Sequence, residues 1–399
     1  MRYLHLDGLR GVMLISMVLS HLGTSLPLGL TGNLVFKAGL INDAASAFIF
    51  LSGLTVGLVY AKGWLDPAYA YRKQALGRRT WLIFRHHAFL VVLATLLAAL
   101  TLDADRHIWI FERFGDAPML FGLLSLLMLG GGYCLDILPL YVLFLLLTPV
   151  ALSAAASGRR WLVLLTVAIA WLVGQAGWLE MGWDALETAF GLNSHRIDLG
   201  LQLNRLSWSA FYFSGLLFGC AYSRGEFDLD TLKQPRFAPV LLACFALIAG
   251  SMLVLALYLR GVVIEHKPVF DWLISKHSVG IVSLLNFLAT AFVVTWLLVA
   301  GPTSPYPTMQ ALGARLSRVL TWRPLVLLGQ HSLSVFTFHI AAIYIFYLLV
   351  DPAWFNPWTA NAILPLGVLS LAIPVMVGQY LKDRRRPTTL AVAAEAQQA

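Results

Sequence analysis

Apolar residues along this chain fall into long, nearly unbroken runs. They do not show the alternation of half-buried strands or the one-sided stripe of soluble surface helices. About 20 apolar residues in a helix cross the hydrocarbon core of a bilayer. Ten runs reach or approach that length: 9–28, 42–61, 82–102, 134–156, 161–178, 206–222, 238–259, 279–300, 326–350 and 361–381. They predict an all-α polytopic membrane protein with about ten transmembrane helices and one integral-membrane domain over 1–382. The stretch 118–130 is apolar but short, and reads as a re-entrant or interfacial helix or an extension of the fourth run. From 383 the chain turns polar and rich in Ala and Gln, so 383–399 is expected to be a disordered cytoplasmic tail. The first run is long, carries Asp7 near its head and has no clear small-x-small site after it, so it reads as a retained span.

Charge sets the expected orientation. With the N-terminus inside, 20 of the 28 Lys and Arg residues fall on cytoplasmic segments, and every connection on that side is basic. Both termini are then cytoplasmic.

Composition narrows the class further. The 399 residues are 59% hydrophobic and only 12% charged, about half the charged share of a soluble domain. Mean hydropathy is +0.76. These values exclude disorder and coiled coil. The net charge of +8 is the ordinary consequence of basic cytoplasmic loops, so membrane lipids are expected partners and nucleic acid is not. Cys134, Cys220 and Cys244 lie in or beside apolar runs without metal spacing, and no metal site is readable from His and acidic residues.

No outer loop is long enough for a soluble catalytic domain, so any chemistry belongs to the bundle and its two mouths. Ionisable side chains inside spans are the candidates, since each costs about 2.5–3.5 kcal/mol at the centre on insertion scales. Arg10 and His21 are 11 positions apart on the first span. At 100° per residue they share a face, separated by about 16 Å along the axis, with Asp7 within about 60° of Arg10. Asp43 opens the second span near His21 and is placed to orient its imidazole. Arg78, Arg85 and His87 sit where the third span enters the membrane and suit phosphate groups, with His331 a further ligand from the ninth. Ser332 and His339 share a face of that span, but the chain has no Gly-x-Ser-x-Gly elbow, so a serine hydrolase is a poor reading. At the outer rim, Asp136, Tyr141, Asn204, Trp208, Lys276 and Asn286 supply the aromatic, acidic and amide groups that a carbohydrate site uses.

The ordered set of motifs resembles a known family. Asp7-Gly-Leu-Arg10-Gly with His21 looks like the Arg-x10-His signature of the integral-membrane acyltransferase family 3. Further stretches bring the chain closer to the OpgC-type proteins, which succinylate osmoregulated periplasmic glucans. They are Asp43-Ala-Ala to Gly53, Arg79-Thr-Trp to His87, Asp136-Ile-Leu-Pro-Leu-Tyr141, Asn204 to Trp208, Leu284-Leu-Asn286, and Gly329-Gln-His331 to Phe336. Leu54 and Ser283 depart from that pattern, which would have Tyr and Arg. The resemblance implies a ten-helix enzyme of the bacterial inner membrane. It would take an acyl group from cytoplasmic acyl-CoA, here succinyl-CoA, to a sugar hydroxyl of a periplasmic glucan or other glycan. Arg10 and His21 are then the signature pair. No permanently bound cofactor is implied, since acyl-CoA is the donor substrate.

On this reading His21 is the general base, Asp43 orients it, and Arg10 lies along the donor. A covalent acyl-histidine is an open variant. The rival is a transporter or flippase for a glycan or lipid-linked intermediate. It would fit ten spans and a polar stripe, but the chain shows no internal repeat, and a transporter needs no basic and His cluster at the inner mouth.

Overall fold

The computed structural model describes residues 3–24, 26–28, 44–101, 108–259 and 267–396. The apolar runs fold as helices. In chain order these are α1 (Leu4–Gly23), α2 (Ala44–Tyr60), α3 (Tyr71–Ala99), α4 (Pro118–Leu126), α5 (Ile137–Ala156), α6 (Arg160–Gln175), α7 (Trp178–Ala189) and α8 (Arg205–Ser223). The second half adds α9 (Ala238–Leu259), α10 (Lys267–Leu273), α11 (Ile281–Val299), α12 (Pro307–Leu320), α13 (Arg323–Gln330), α14 (Ser332–Leu349), α15 (Pro357–Ser370) and α16 (Ala372–Ala396). Among the described residues the only β-pairing is an isolated bridge between Gly130 and Gly200. Segment 118–130 becomes the nine-residue α4 against α3. The last helix continues past 383, where the sequence reading begins a tail.

Seven described helices are long and apolar enough to cross a membrane: Leu4–Gly23, Pro67–Ala99, Ile137–Ala156, Pro235–Leu257, Ile281–Val299, Ser332–Leu349 and Pro357–Arg384. The pair α6 and α7, bent by 59°, makes an eighth if counted as one span. The other two expected spans correspond to α2, at 17 residues, and α8. These two pack on each other, and more than half of the residues in each are buried. A helix covered by protein does not have to be uniformly apolar. Accordingly α8 turns Ser207, Trp208, Ser209 and Tyr212 inward, and Tyr212 shares a hydrogen bond with Thr148 of α5 at 2.9 Å.

Glycine sets how closely these helices approach. Gly53 and Gly57 of α2 face Gly215 and Gly219 of α8, a small-xxx-small pattern on both sides. A Cβ on Gly53 would fall on the Tyr212 carbonyl oxygen, and one on Gly219 on that of Leu54. Gly8 and Gly11 of α1 meet the carbonyls of Leu320 and Leu325 in the same way, and Gly329 meets that of Asp7.

Gly219→Leu is expected to force α2 and α8 apart. Overpacking costs typically 1–3 kcal/mol, and here the obstacle is backbone, so a loss at or above that range should appear as a lower unfolding temperature in detergent or loss of monodisperse protein. Gly77→Ala on α3, where a Cβ meets nothing within 4 Å, should be neutral or stabilising by up to about 1 kcal/mol.

Candidate active site

A cavity of about 800 Å³ runs through the bundle between α1, α2, α3, α5 and α14. It begins at Tyr3 and Asp7 on the first turn of α1 and reaches Leu138 and Phe336. Asp136, just before α5, and His21, at the end of α1, belong to the opposite end of the bundle, so the cavity spans much of its depth. Its polar groups are held in place. Arg10 donates to the Leu51 carbonyl at 3.2 Å and to the Thr55 hydroxyl, with the Asp7 carboxylate 3.8 Å away. Arg79 donates through Nη2 to the Tyr141 hydroxyl at 2.7 Å and through Nε at 3.2 Å. His86 Nδ1 lies 2.8 Å from the Thr337 hydroxyl. His331 also lines the cavity.

The α3 face differs from the expected one. Arg78 and Arg85 are exposed and away from the cavity, and His87 is buried with Nε2 3.0 Å from the Ser125 carbonyl of α4. Arg79, Ile83 and His86 line the cavity instead, at the i, i+4, i+7 spacing of a single helix face. Arg78 and Arg85 each precede a cavity-lining residue by one position, which turns them 100° away from that face. Tyr141, expected among the acceptor groups of the outer rim, faces the same cavity through its bond to Arg79.

Phe336 separates the cavity from a second group of residues. It stacks on Phe48 at 6.0 Å, and both rings line the cavity. It also stands edge-on to His339 at 5.0 Å and 89°. The His339 ring is stacked on His21, with centroids 5.4 Å apart and planes at 17°. Tyr133 meets His21 edge-on at 5.9 Å, and the Tyr347 hydroxyl lies 3.1 Å from the carbonyls of His21 and Leu22, which fixes the end of α1. His21 Nδ1 and His339 Nε2 are buried and have no hydrogen-bond partner among the described residues. Asp43, assigned to orient His21, lies outside the described residues. The structure thus pairs His339 with His21, where sequence spacing set it beside Ser332.

Of the remaining expected acceptor residues, only Asn204 belongs to the wall of a second cavity, of about 290 Å³, at the His21 end of the bundle. Asn204 Oδ1 accepts the Leu206 and Ser207 amides, and its Nδ2 donates to Glu180 at 2.6 Å. Lys276 is exposed nearby, and its carbonyl accepts from Trp208 Nε1 at 3.0 Å. Trp208 is itself 0% exposed, so it offers no face to a sugar, and Asn286 is equally buried. Both are part of the packing. Asp136 is buried just outside the span Ile137–Ala156 and accepts the Gln202 amide at 3.1 Å. Burial pushes its carboxyl up to about 6, against the pull of Arg113, the Gln202 amide, Arg205 and Lys276. Sequence reading missed Glu180 and Trp183 on the wall of this cavity. The signal is in the sequence, because Glu180, Trp183, Asp184 and Glu187 repeat at helical spacing between the runs 161–178 and 206–222.

The raised carboxyl of Asp136 gives a pH prediction. A group whose folded pKa exceeds its unfolded value costs stability once it ionises. That cost is absent below about pH 4 and complete above about pH 6. Two units correspond to roughly 3 kcal/mol. Asp136→Asn, which keeps an acceptor for Gln202, should gain on the wild type between pH 4 and 7 by an amount of that order. Unfolding temperatures of both proteins across that range check it, and a constant difference counts against it.

Among known families, the model described as OpgC protein matches residues 2–384. No curated protein and no solved structure matches the chain. The match spans the described bundle from the head of α1 to α16, including Arg10, His21 and both cavities. The chain therefore belongs to the OpgC protein family, and that membership points to an acyltransferase-type role in glucan modification.

Proposed function

We propose that the protein transfers an acyl group from cytoplasmic acyl-CoA, succinyl-CoA in the first instance, to a sugar hydroxyl of a periplasmic glucan, with His21 as general base. The observation that carries this reading is the deep cavity with cationic walls, whose far end is closed by Phe336 against the His21–His339 pair. Its volume of about 800 Å³ falls within the range of about 300–1,000 Å³ usual for small-molecule sites. Arg10, Arg79, His86 and His331 suit the phosphates and amides of a donor that enters beside Asp7. The acyl thioester then lies toward Phe336 and His21.

In the reaction, His21 takes the proton of the sugar hydroxyl as its oxygen attacks the thioester carbonyl. A C–O ester bond forms, the C–S bond breaks, and the proton passes from the imidazolium to the departing thiolate. Holding donor and acceptor end to end converts an encounter of two molecules into a local step. Asp43 orients His21 on this reading, as the carboxylate that opens the second span. Support for transfer over transport comes from the family.

Mass spectrometry of periplasmic glucans from cells with the gene, without it, and with His21→Ala tests the reaction. The expected result is an acyl mass increment that requires His21. Unchanged glucans in all three overturn the proposal, and a protein that also releases no CoA from acyl-CoA would favour transport. For the donor side, Arg79→Ala should raise the apparent KM for acyl-CoA about tenfold or more, while Arg78→Ala should change it less than twofold. Equal effects would remove the cavity from donor binding.

A further inference from the structure

The smaller cavity has no part in the reaction above, and its wall chemistry is unusual for a membrane protein. Four carboxylates, Glu180, Asp184, Glu187 and Asp198, line it together with the guanidinium groups of Arg113 and Arg205. Part of this set is already satisfied. Glu180 Oε1 accepts from His277 and Asn204, both at 2.6 Å, and Glu187 Oε1 accepts the Leu199 amide at 2.5 Å. Arg113 donates to the Gly131 carbonyl at 2.7 Å and lies 3.8 Å from Asp198. The Arg205 guanidinium sits over the Trp183 ring, 5.0 Å from its centroid, and bonds the Met128 carbonyl.

Two buried atoms of this wall remain without a partner among the described residues: Glu180 Oε2, an acceptor, and Arg205 Nε, a donor. A buried polar atom left unpaired costs about 1–3 kcal/mol, so an occupant that pairs both is favoured. A cation would satisfy the carboxylate and meet two guanidinium groups. An anion would satisfy the guanidinium and meet four carboxylates. A hydroxyl group donates and accepts at once, so a neutral ligand carrying several hydroxyls is the class that answers both. The volume of about 290 Å³ is at the small end of ligand sites, suited to one sugar ring and not to a nucleotide.

The cavity is tied mechanically to the histidine pair. The Gly200 amide bonds the Leu129 carbonyl at 2.7 Å, and the Gln202 amide bonds Asp136. The loop between Leu129 and Asp136 carries Tyr133 onto His21.

We infer that this cavity is a subsite for one neutral hexose unit of the glucan acceptor, set apart from the unit being acylated. The inference rests on the acyl-transfer reading for the identity of the sugar. Four carboxylates against two guanidiniums and the His277 imidazole that bonds Glu180 also leave the wall rich in acid: a sugar unit already carrying a dicarboxylic acyl group is anionic and is repelled. The subsite therefore holds unmodified stretches of glucan near His21.

The test is calorimetric titration of the purified full-length protein in detergent with neutral gluco-oligosaccharides and with the same oligosaccharides after succinylation. The neutral ligand is expected to bind, and the succinylated one at least tenfold more weakly. Glu180→Gln should weaken neutral binding about tenfold, and Asp184→Asn, at an exposed position with little folding risk, at least threefold. Gly77→Ala, which lines neither cavity, should bind as the wild type does. Unchanged affinity in both cavity variants overturns the subsite, as does a preference for the succinylated ligand, or displacement of the sugar by phosphate or magnesium alone. The two readings fail separately. Variants that transfer acyl groups with unaltered sugar affinity remove the subsite only. A protein that binds neutral sugar through Glu180 yet never modifies glucan removes the transfer reading only.

Discussion

Close backbone contact at glycine is the constraint on which the rest of this bundle depends. Helices in lipid gain nothing from burying leucine against leucine, so association relies on close fit. Gly53, Gly57, Gly215 and Gly219 let α2 and α8 meet backbone to backbone. Gly8 and Gly11 do the same for α1 against the turn between α12 and α13, and Gly329 returns the contact onto Asp7. A helix clamped this way along one face has no freedom to rotate. Its other face is therefore fixed too, and that face carries Asp7 and Arg10 into the large cavity and leaves His21 against His339.

The polar side chains can then be afforded inside the bundle because each cation meets a fixed oxygen. Arg10 has Leu51 and Thr55, and Arg79 has Tyr141. An unpaired charge at this depth would cost several kcal/mol, so these oxygens, with the Asp7 carboxylate 3.8 Å from Arg10, hold the cations of the cavity wall in place. A cavity of this kind holds spare hydrogen-bonding capacity for a phosphorylated ligand. At its far end the wall changes character, from guanidinium and imidazole to Phe48 and Phe336. That change marks the boundary between a region that binds charge and one that excludes water.

Much of this was legible before any coordinates. The helical arithmetic that put Arg10 and His21 on one face rests only on 100° per residue, and both point into the bundle as that arithmetic requires. Apolar runs gave a helix for each expected span, because run length is what membrane thickness selects. What failed was rotational phase and partner identity. On α3, Arg78 and Arg79 are adjacent, and no local signal says which one turns inward. Tyr141 and Trp208 look alike as rim aromatics, yet one faces the large cavity and the other is locked under the carbonyls of Lys276 and His277. The His339 partner could not be found because its contact with His21 joins residues 318 positions apart, and pairing at that range leaves no trace in periodicity. By length and composition the described helices give seven or eight crossings, since α2 is apolar but only 17 residues long and α8 carries several polar residues turned into the bundle.

The histidine pair carries the strongest physical argument for chemistry at this end of the bundle. Two imidazoles stacked in a protein interior give up hydration, and each keeps one buried ring nitrogen without a partner among the described residues. A purely structural pair would be expected to spend those nitrogens on bonds between helices, as Thr148 and Tyr212 do between α5 and α8. A buried imidazole nitrogen without a hydrogen-bond partner among the described residues is suited to accept a proton from a hydroxyl that arrives with its substrate. The surrounding geometry favours a fixed position for that nitrogen. Tyr347 pins the backbone of His21, Tyr133 covers its edge, and Phe336 braces His339 from behind. General-base catalysis rewards a base that does not have to move, and the residues with which the bundle encloses His21 are of the kind that hold it still.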